Sequence, residues 1–100
     1  MDSQTRLLYW LLEASRGGPT RVKILLSLHQ KPMNMRQLSV FLNLDYKTVQ
    51  SHVELLIENG ILETPKKKYG SIYFISAEWE NNDFLNNILG CGNDEKNKRK

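Results

Sequence analysis

Three residues, Asn43-Leu44-Asp45, separate two stretches of helical periodicity, and no other feature limits the possible folds of the chain so strongly. Before the break, Leu38, Phe41 and Leu42 fall at helical spacing and Asn34 stands at an N-cap position, which predicts a short helix over 34–42. After it, Asp45 offers a second N-cap and Val49, Val53, Leu56 and Ile57 repeat at intervals of three and four. Asn59-Gly60 is the expected C-terminal stop, so a second helix is predicted over 45–58. A connection of three residues forces the two helices to pack at a steep angle. The first is expected to be buried through Leu38, Phe41 and Leu42, bracing a second helix whose other face points outward.

The flanking sequence has its own punctuation at Gly17-Gly18-Pro19, Lys31-Pro32 and Lys68-Tyr69-Gly70. Gln4 to Ser15 reads as a helix capped by Asp2 or Ser3, with Leu7, Leu8, Leu11 and Leu12 on one face and Tyr9 and Trp10 widening it. Thr20 to His29 is a second, with Val22, Leu25, Leu26 and Leu28 as its apolar set. Beyond Gly60 the pattern changes. Ile61 to Thr64 and Ser71 to Ile75 are β-rich runs, joined through Pro65 to Gly70 as a hairpin with a basic tip. A minimal third strand is expected near Met33. Glu78 to Leu89 returns to helix, carrying Trp79, Phe84, Leu85, Ile88 and Leu89, and from Gly90 the composition predicts a disordered tail. The expected class is mainly α with a small β-hairpin.

Composition narrows the function. One hundred residues, 40% hydrophobic and 25% charged, support one globular core. The longest apolar run, Leu7 to Leu12, falls far short of the ~20 residues a membrane span needs. Met1 to Arg6 lack a signal-peptide n-region, so the cytoplasm is expected. Cys91 is alone, which excludes an intramolecular disulfide and a thiolate-rich zinc site within one chain. His29 and His52 have no companion ligands at metal-binding spacing. His29 is expected to complement a helix dipole and His52 to serve in packing or backbone contact. No nucleophile-base pair and no phosphate-cradling glycine loop is present, so neither enzyme activity nor a cofactor is expected.

Double-stranded DNA suits the corner. The second of two such helices fits the major groove with its N-terminal turns. With Val49, Val53 and Leu56 inward, Tyr46, Lys47, Gln50, Ser51 and Glu54 point outward. Lys47 suits phosphate or guanine and Gln50 suits adenine bidentately. Tyr46 suits a thymine methyl or a phosphate, and Ser51 a phosphate or either base type. Glu54 either accepts from cytosine or repels the backbone. Thr48 and the helix's first N–H groups are placed to accept a phosphate. Lys66, Lys67 and Lys68 at the hairpin tip, with Tyr69 and Arg36, complete the expected contacts. Residues 20–73 hold eight basic side chains against four acidic, a larger excess than the chain's overall +3. The basic run Lys96 to Lys100 reads as a solvated tail that is expected to add non-specific affinity.

Those residues carry a resemblance. Arg21-Val22-Lys23-Ile24-Leu25-Leu26-Ser27-Leu28, Met35-Arg36-Gln37-Leu38, Leu42-Asn43-Leu44-Asp45-Tyr46-Lys47-Thr48-Val49, Gln50-Ser51-His52-Val53 and Leu56-Ile57-Glu58-Asn59-Gly60-Ile61-Leu62 resemble the ArsR-like winged helix-turn-helix regulators. The likeness continues through Gly70-Ser71-Ile72-Tyr73-Phe74 and spans about 20–76. Its Leu-Asp-Tyr-Lys-Thr-Val wording is similar to small archaeal members. The resemblance implies a homodimeric transcriptional regulator reading the major groove with residues 46–54 and touching backbone or an adjacent groove with its wing. The Cys-Val-Cys motif of the family's metal sensors is missing from 34–42, and metal sensing is not expected.

The expected organisation is an N-terminal helix and linker over 1–19, a winged helix-turn-helix over 20–77, a C-terminal helix over 78–89 and a basic tail over 90–100. So many large apolar side chains outside 20–76 point to a symmetric dimer interface, assigned to Leu7, Leu8, Trp10, Leu11, Trp79, Phe84, Leu85 and Ile88. A winged-helix module that docks proteins through these flanks, without sequence-specific DNA binding, is the alternative.

Overall fold

The computed structural model describes residues 3–65 and 70–94. From the N-terminus the chain runs through α1 (Ser3–Tyr9), which continues as a π-helical turn (Trp10–Ala14), then α2 (Gly18–Gln30), β1 (Met33–Asn34) and α3 (Met35–Leu42). It continues through α4 (Tyr46–Glu58), β2 (Leu62–Glu63), β3 (Ile72–Ile75), α5 (Ala77–Glu80) and α6 (Asp83–Asp94). The strands form one antiparallel sheet in the order β1-β3-β2, with Met33 opposite Tyr73 and Leu62 opposite Ile75. The architecture is a mainly helical winged helix carrying additional helices at both ends, as the residue patterns predict. Among the described residues, no helix is long and apolar enough to cross a membrane.

Local chemistry sets the corner. Asn34 and Gln37 form a reciprocal capping box at the start of α3: the Gln37 N–H donates to Asn34 Oδ1 at 2.7 Å and the Asn34 N–H to Gln37 Oε1 at 2.9 Å. Asn43 closes α3 in the left-handed region at φ 56, a conformation asparagine tolerates better than most side chains. Two residues later the Asp45 carboxylate caps α4, accepting from the Lys47 and Thr48 N–H groups. Val49, Val53 and Leu56 are then fully buried, as their spacing predicts. Gly60, at φ 75, releases the chain into β2.

Five expectations change. The N-terminal helix is not regular to Ser15: it widens into the π-turn, which buries Leu8, Leu11 and Leu12 while Tyr9 and Trp10 point outward. Phe41 is 62% exposed rather than buried, because only Leu38 of the α3 set lies fully on the inner face and Leu42 is half-buried. Ile24, absent from the expected α2 set, is fully buried together with Leu25 and Leu28. The helix expected over 78–89 is two helices: the Asn82 Oδ1 accepts from the Leu85 N–H at 3.0 Å and starts α6 afresh. α6 then runs to Asp94, so 90–94 are helical and not part of a disordered tail. A glycine lowers helix propensity by about 1 kcal/mol but ends a helix only where it turns to positive φ, and Gly90 does not. Residues 95–100 of the expected basic tail lie outside the described residues.

The junction between the π-turn and α2 requires Gly18. A Cβ there would lie 2.4 Å from the Leu12 carbonyl oxygen and 2.8 Å from its carbon, both backbone atoms that cannot swing aside. Gly18→Ala is expected to destabilise the protomer by about 1–3 kcal/mol, measured as a lower urea midpoint at unchanged m-value.

Candidate nucleic-acid interface

With Asp45 fixing its start and Val49, Val53 and Leu56 holding one side to the core, α4 has a single free face. Lys47, Thr48, Ser51 and Glu54 are exposed on it, and Tyr46 and Gln50 are half-buried at its edges. Arg36 is exposed in the first turn of α3. It lines a cleft of about 190 Å³ with Asn34, Met35, Tyr46 and Gly70, where the starts of α3 and α4 meet the base of the wing. The six expected contacts that are described thus lie on one side of the molecule or its rim. Lys66, Lys67, Lys68 and Tyr69 lie outside the described residues.

Two side-chain details alter the expected chemistry. The Lys47 and Thr48 N–H groups already donate to Asp45 at 3.1 and 3.3 Å. The first turn of α4 therefore presents a carboxylate where a bound phosphate was expected, and the exposed Lys47 and Thr48 side chains are the other polar groups of that turn. Gln50 Nε2 donates to Glu54 Oε2 at 3.3 Å, one turn on, so Glu54 orients the amide that faces solvent. Burial, aided by the nearby Tyr46 and Glu54, pushes the Tyr73 phenol above its usual range.

The sequence reading did not single out Arg21. It stands three residues before Ile24 and four before Leu25, on the buried stripe of α2, and is only 5% exposed. Its Nε donates to the Leu11 carbonyl at 2.9 Å, a second guanidinium N–H donates to Ser15 Oγ, and Nη1 lies 3.0 Å from His52 Nδ1. A guanidinium only donates, so His52 Nδ1 is the acceptor and the imidazole carries its proton on Nε2. Burial, reinforced by the Arg21 charge, holds the His52 pKa below its ordinary 6.5. The native chain thus resists a proton that the unfolded chain accepts. Stability from this site is complete above the ordinary value and is lost as pH falls through the native one. The expected result is a denaturation midpoint that drops on acidification below about 6.5, with a shallower drop in His52→Asn.

At the other end, the expected dimer residues divide. Leu8, Leu11, Trp79 and Leu85 are at most 2% exposed and belong to the protomer's own core, so they do not face a partner. The reason is the π-turn and the break at Asn82, which aim those side chains inward. Leu7, Phe84 and Ile88 are half-buried, and Trp10 is 55% exposed beside Tyr9. The rings of Tyr9 and Phe84 meet at 6.4 Å between centroids and 52° between planes, joining α1 to α6. Among the described residues, no group of three or more His, Cys, Asp or Glu side chains is placed to hold a metal ion.

Residues 18–64 match the sequence profile of the family described as bacterial regulatory protein, arsR family. No curated protein sequence matches the chain. Two of the solved structures that share the fold show the extent of the likeness. The transcriptional repressor BigR from Xylella fastidiosa superposes with a TM-score of 0.69 at 16% identity, over 97% of this chain and 90% of that one. Reduced HlyU from Vibrio cholerae superposes with a TM-score of 0.64 at 23% identity, over 89% of this chain and 92% of that one.

Proposed function

We propose that the chain is an ArsR-like regulator of the small archaeal type that binds double-stranded DNA sequence-specifically, as a homodimer in the cytoplasm, and regulates transcription. The observation that carries the reading is the free face of α4: Lys47, Thr48 and Ser51 exposed over a buried Val49-Val53-Leu56 stripe, on the helix that follows the corner. In this reading residues 46–58 enter the major groove, and the wing over 64–71 rests on backbone or minor groove. Residues 20–77 form the DNA-binding unit, and the flanks over 1–19 and 78–89 pair two copies. Leu7, Tyr9, Trp10, Phe84 and Ile88 are the side chains available for that pairing. Neither a metal nor a cofactor enters the reading, and no catalytic step does.

Two variants and a salt series test it. Duplex binding should weaken steeply with salt, and Lys47→Ala should flatten that dependence while weakening all sequences alike. Gln50→Ala should relax preference at one base position by about 1–3 kcal/mol. Selection of duplexes from random DNA, with electrophoretic titration, reads both. Failure of every duplex to bind would favour the protein-docking alternative through the flanking helices, to which Val40 and Phe41, 73% and 62% exposed beside Lys31 and Arg36, add a second exposed apolar surface.

A further inference from the structure

Among the described residues, Arg21 is the one charged side chain that is buried. A buried guanidinium normally meets a carboxylate. Here its acceptors are a carbonyl, a hydroxyl and an imidazole, each from a different place: Leu11 in the π-turn, Ser15 in the loop that follows, and His52 in the middle of α4. The surroundings are shaped for this meeting. The Ser15 N–H bonds back to the Trp10 carbonyl, the wider spacing of a π-turn, and the Leu11 carbonyl accepts from Arg21. Gly17 leaves the necessary room, since a Cβ there would lie 2.7 Å from both Arg21 Nη1 and His52 Cε1. The contacts of α4 with the rest of the core are otherwise led by the buried Val49, Val53 and Leu56, with Tyr46, Leu55 and Ile57 packed beside them, apolar surfaces that fix its depth but not its direction.

We propose that Arg21 and His52 are positioning residues for DNA reading: neutral His52 accepts from Arg21 and locks α4 to the N-terminal π-turn, and protonation of His52 opens that lock and weakens binding. The inference rests on the DNA-reading assignment above. A protonated Nδ1 would aim an N–H at the guanidinium and set two positive charges about 3 Å apart. Arg21, from α2, is the charged group whose field bears on His52 among the described residues. Thr48, Val49, Leu55 and Leu56, one turn away on α4, do not titrate. From the π-turn and its loop, the Leu11 carbonyl and the Ser15 hydroxyl accept from Arg21 and Gly17 packs against both side chains, and none of the three is an ionisable group. Because His52 is one residue from Ser51 and two from Gln50, a lost bond there acts directly on the reading face.

The sign of the pH effect separates this from general electrostatics. Acidification makes the chain more positive, so a binder governed by net charge tightens on DNA. The locked helix should instead lose about fivefold or more in affinity between pH 7.5 and 5.0 at fixed salt, on the duplex selected at pH 7.5. His52→Asn places an amide oxygen near the Nδ1 position, matches histidine in helix propensity, and does not titrate. It should bind within about twofold of the parent at pH 7.5 and show no acid weakening. Circular dichroism at pH 5.0 checks that both proteins remain folded. NMR of the full chain reads the node without DNA: the Arg21 Nε–H should shift with the same midpoint as the His52 ring, and stay flat in His52→Asn. An Arg21 resonance indifferent to His52 overturns the lock. Binding that tightens in acid for both proteins overturns the positioning role alone, whereas absence of any duplex binding at pH 7.5 overturns it together with the DNA assignment.

Discussion

Leu11→Glu should unfold the protomer rather than release two folded halves of a dimer. Leu11 is fully buried, in the π-turn that packs against α2, and its carbonyl accepts from Arg21. Removing the apolar side chain alone costs about 2–5 kcal/mol. Lodging an unpaired carboxylate in its place adds several more, or drives α1 and the π-turn off the core. Together these approach the roughly 5–15 kcal/mol that a domain of this size has in hand. Trp10→Glu, one residue earlier and 55% exposed, should change protomer stability by no more than about 0.5 kcal/mol. If the proposed dimer uses this face, the same variant lowers the mass in light scattering from twice the 11.7 kDa chain to one. Circular dichroism and light scattering on the two proteins therefore separate folding from pairing. A folded Leu11→Glu of parent stability would show that α1 is not part of the core, and a Trp10→Glu still dimeric would move the interface elsewhere.

That pair of substitutions also marks where the sequence stops being legible. Asn34, Asp45 and the Val49-Val53-Leu56 stripe are local signals, and local physics alone suffices to cap and orient α3 and α4. Met33 was readable as a strand because the hairpin offered an edge, and it pairs with Tyr73. Leu11 and Trp79 were not readable as core rather than interface, since both choices bury apolar side chains and only the path of the backbone decides between them. The π-turn depends on Gly18 meeting Leu12 and on Arg21 meeting Leu11, contacts that have no periodicity. Asn82 carried a signal, an N-cap side chain three residues before Leu85, but the apolar spacing of Trp79, Phe84 and Leu85 concealed it. At the candidate interface, residue types were legible and their mutual bonds were not: Asp45 occupying the Lys47 and Thr48 N–H groups, and Glu54 holding Gln50, follow from side-chain geometry. Arg21 was hidden for a different reason. A basic residue in a basic segment reads as surface charge until its burial is known.

Trp79→Ala should cost about 3–5 kcal/mol, the most of any truncation in the C-terminal segment, whereas Trp79→Phe should cost within about 1.5 kcal/mol. The side chain is 2% exposed and is the only buried one of α5, a helix too short to be stable by itself. Its position follows from Ser76, which is 1% exposed and donates through Oγ to the Gly60 carbonyl at 2.8 Å, fixing the exit from β3. Alanine would leave a large cavity there and free α5. Phenylalanine is expected to do less harm for a specific reason: among the described residues the indole Nε1 is buried without a hydrogen-bond partner. Removing that donor returns part of the roughly 1–3 kcal/mol that an unmet buried N–H costs, and this offsets the smaller ring. Urea midpoints of the two variants measure the difference. If phenylalanine proves as harmful as alanine, the indole must be bonded in solution; if alanine is tolerated, α5 does not close the core. Since α6 follows α5 after two residues and carries the half-buried Phe84 and Ile88, Trp79→Ala should also weaken the proposed dimer, while Trp79→Phe should leave it intact.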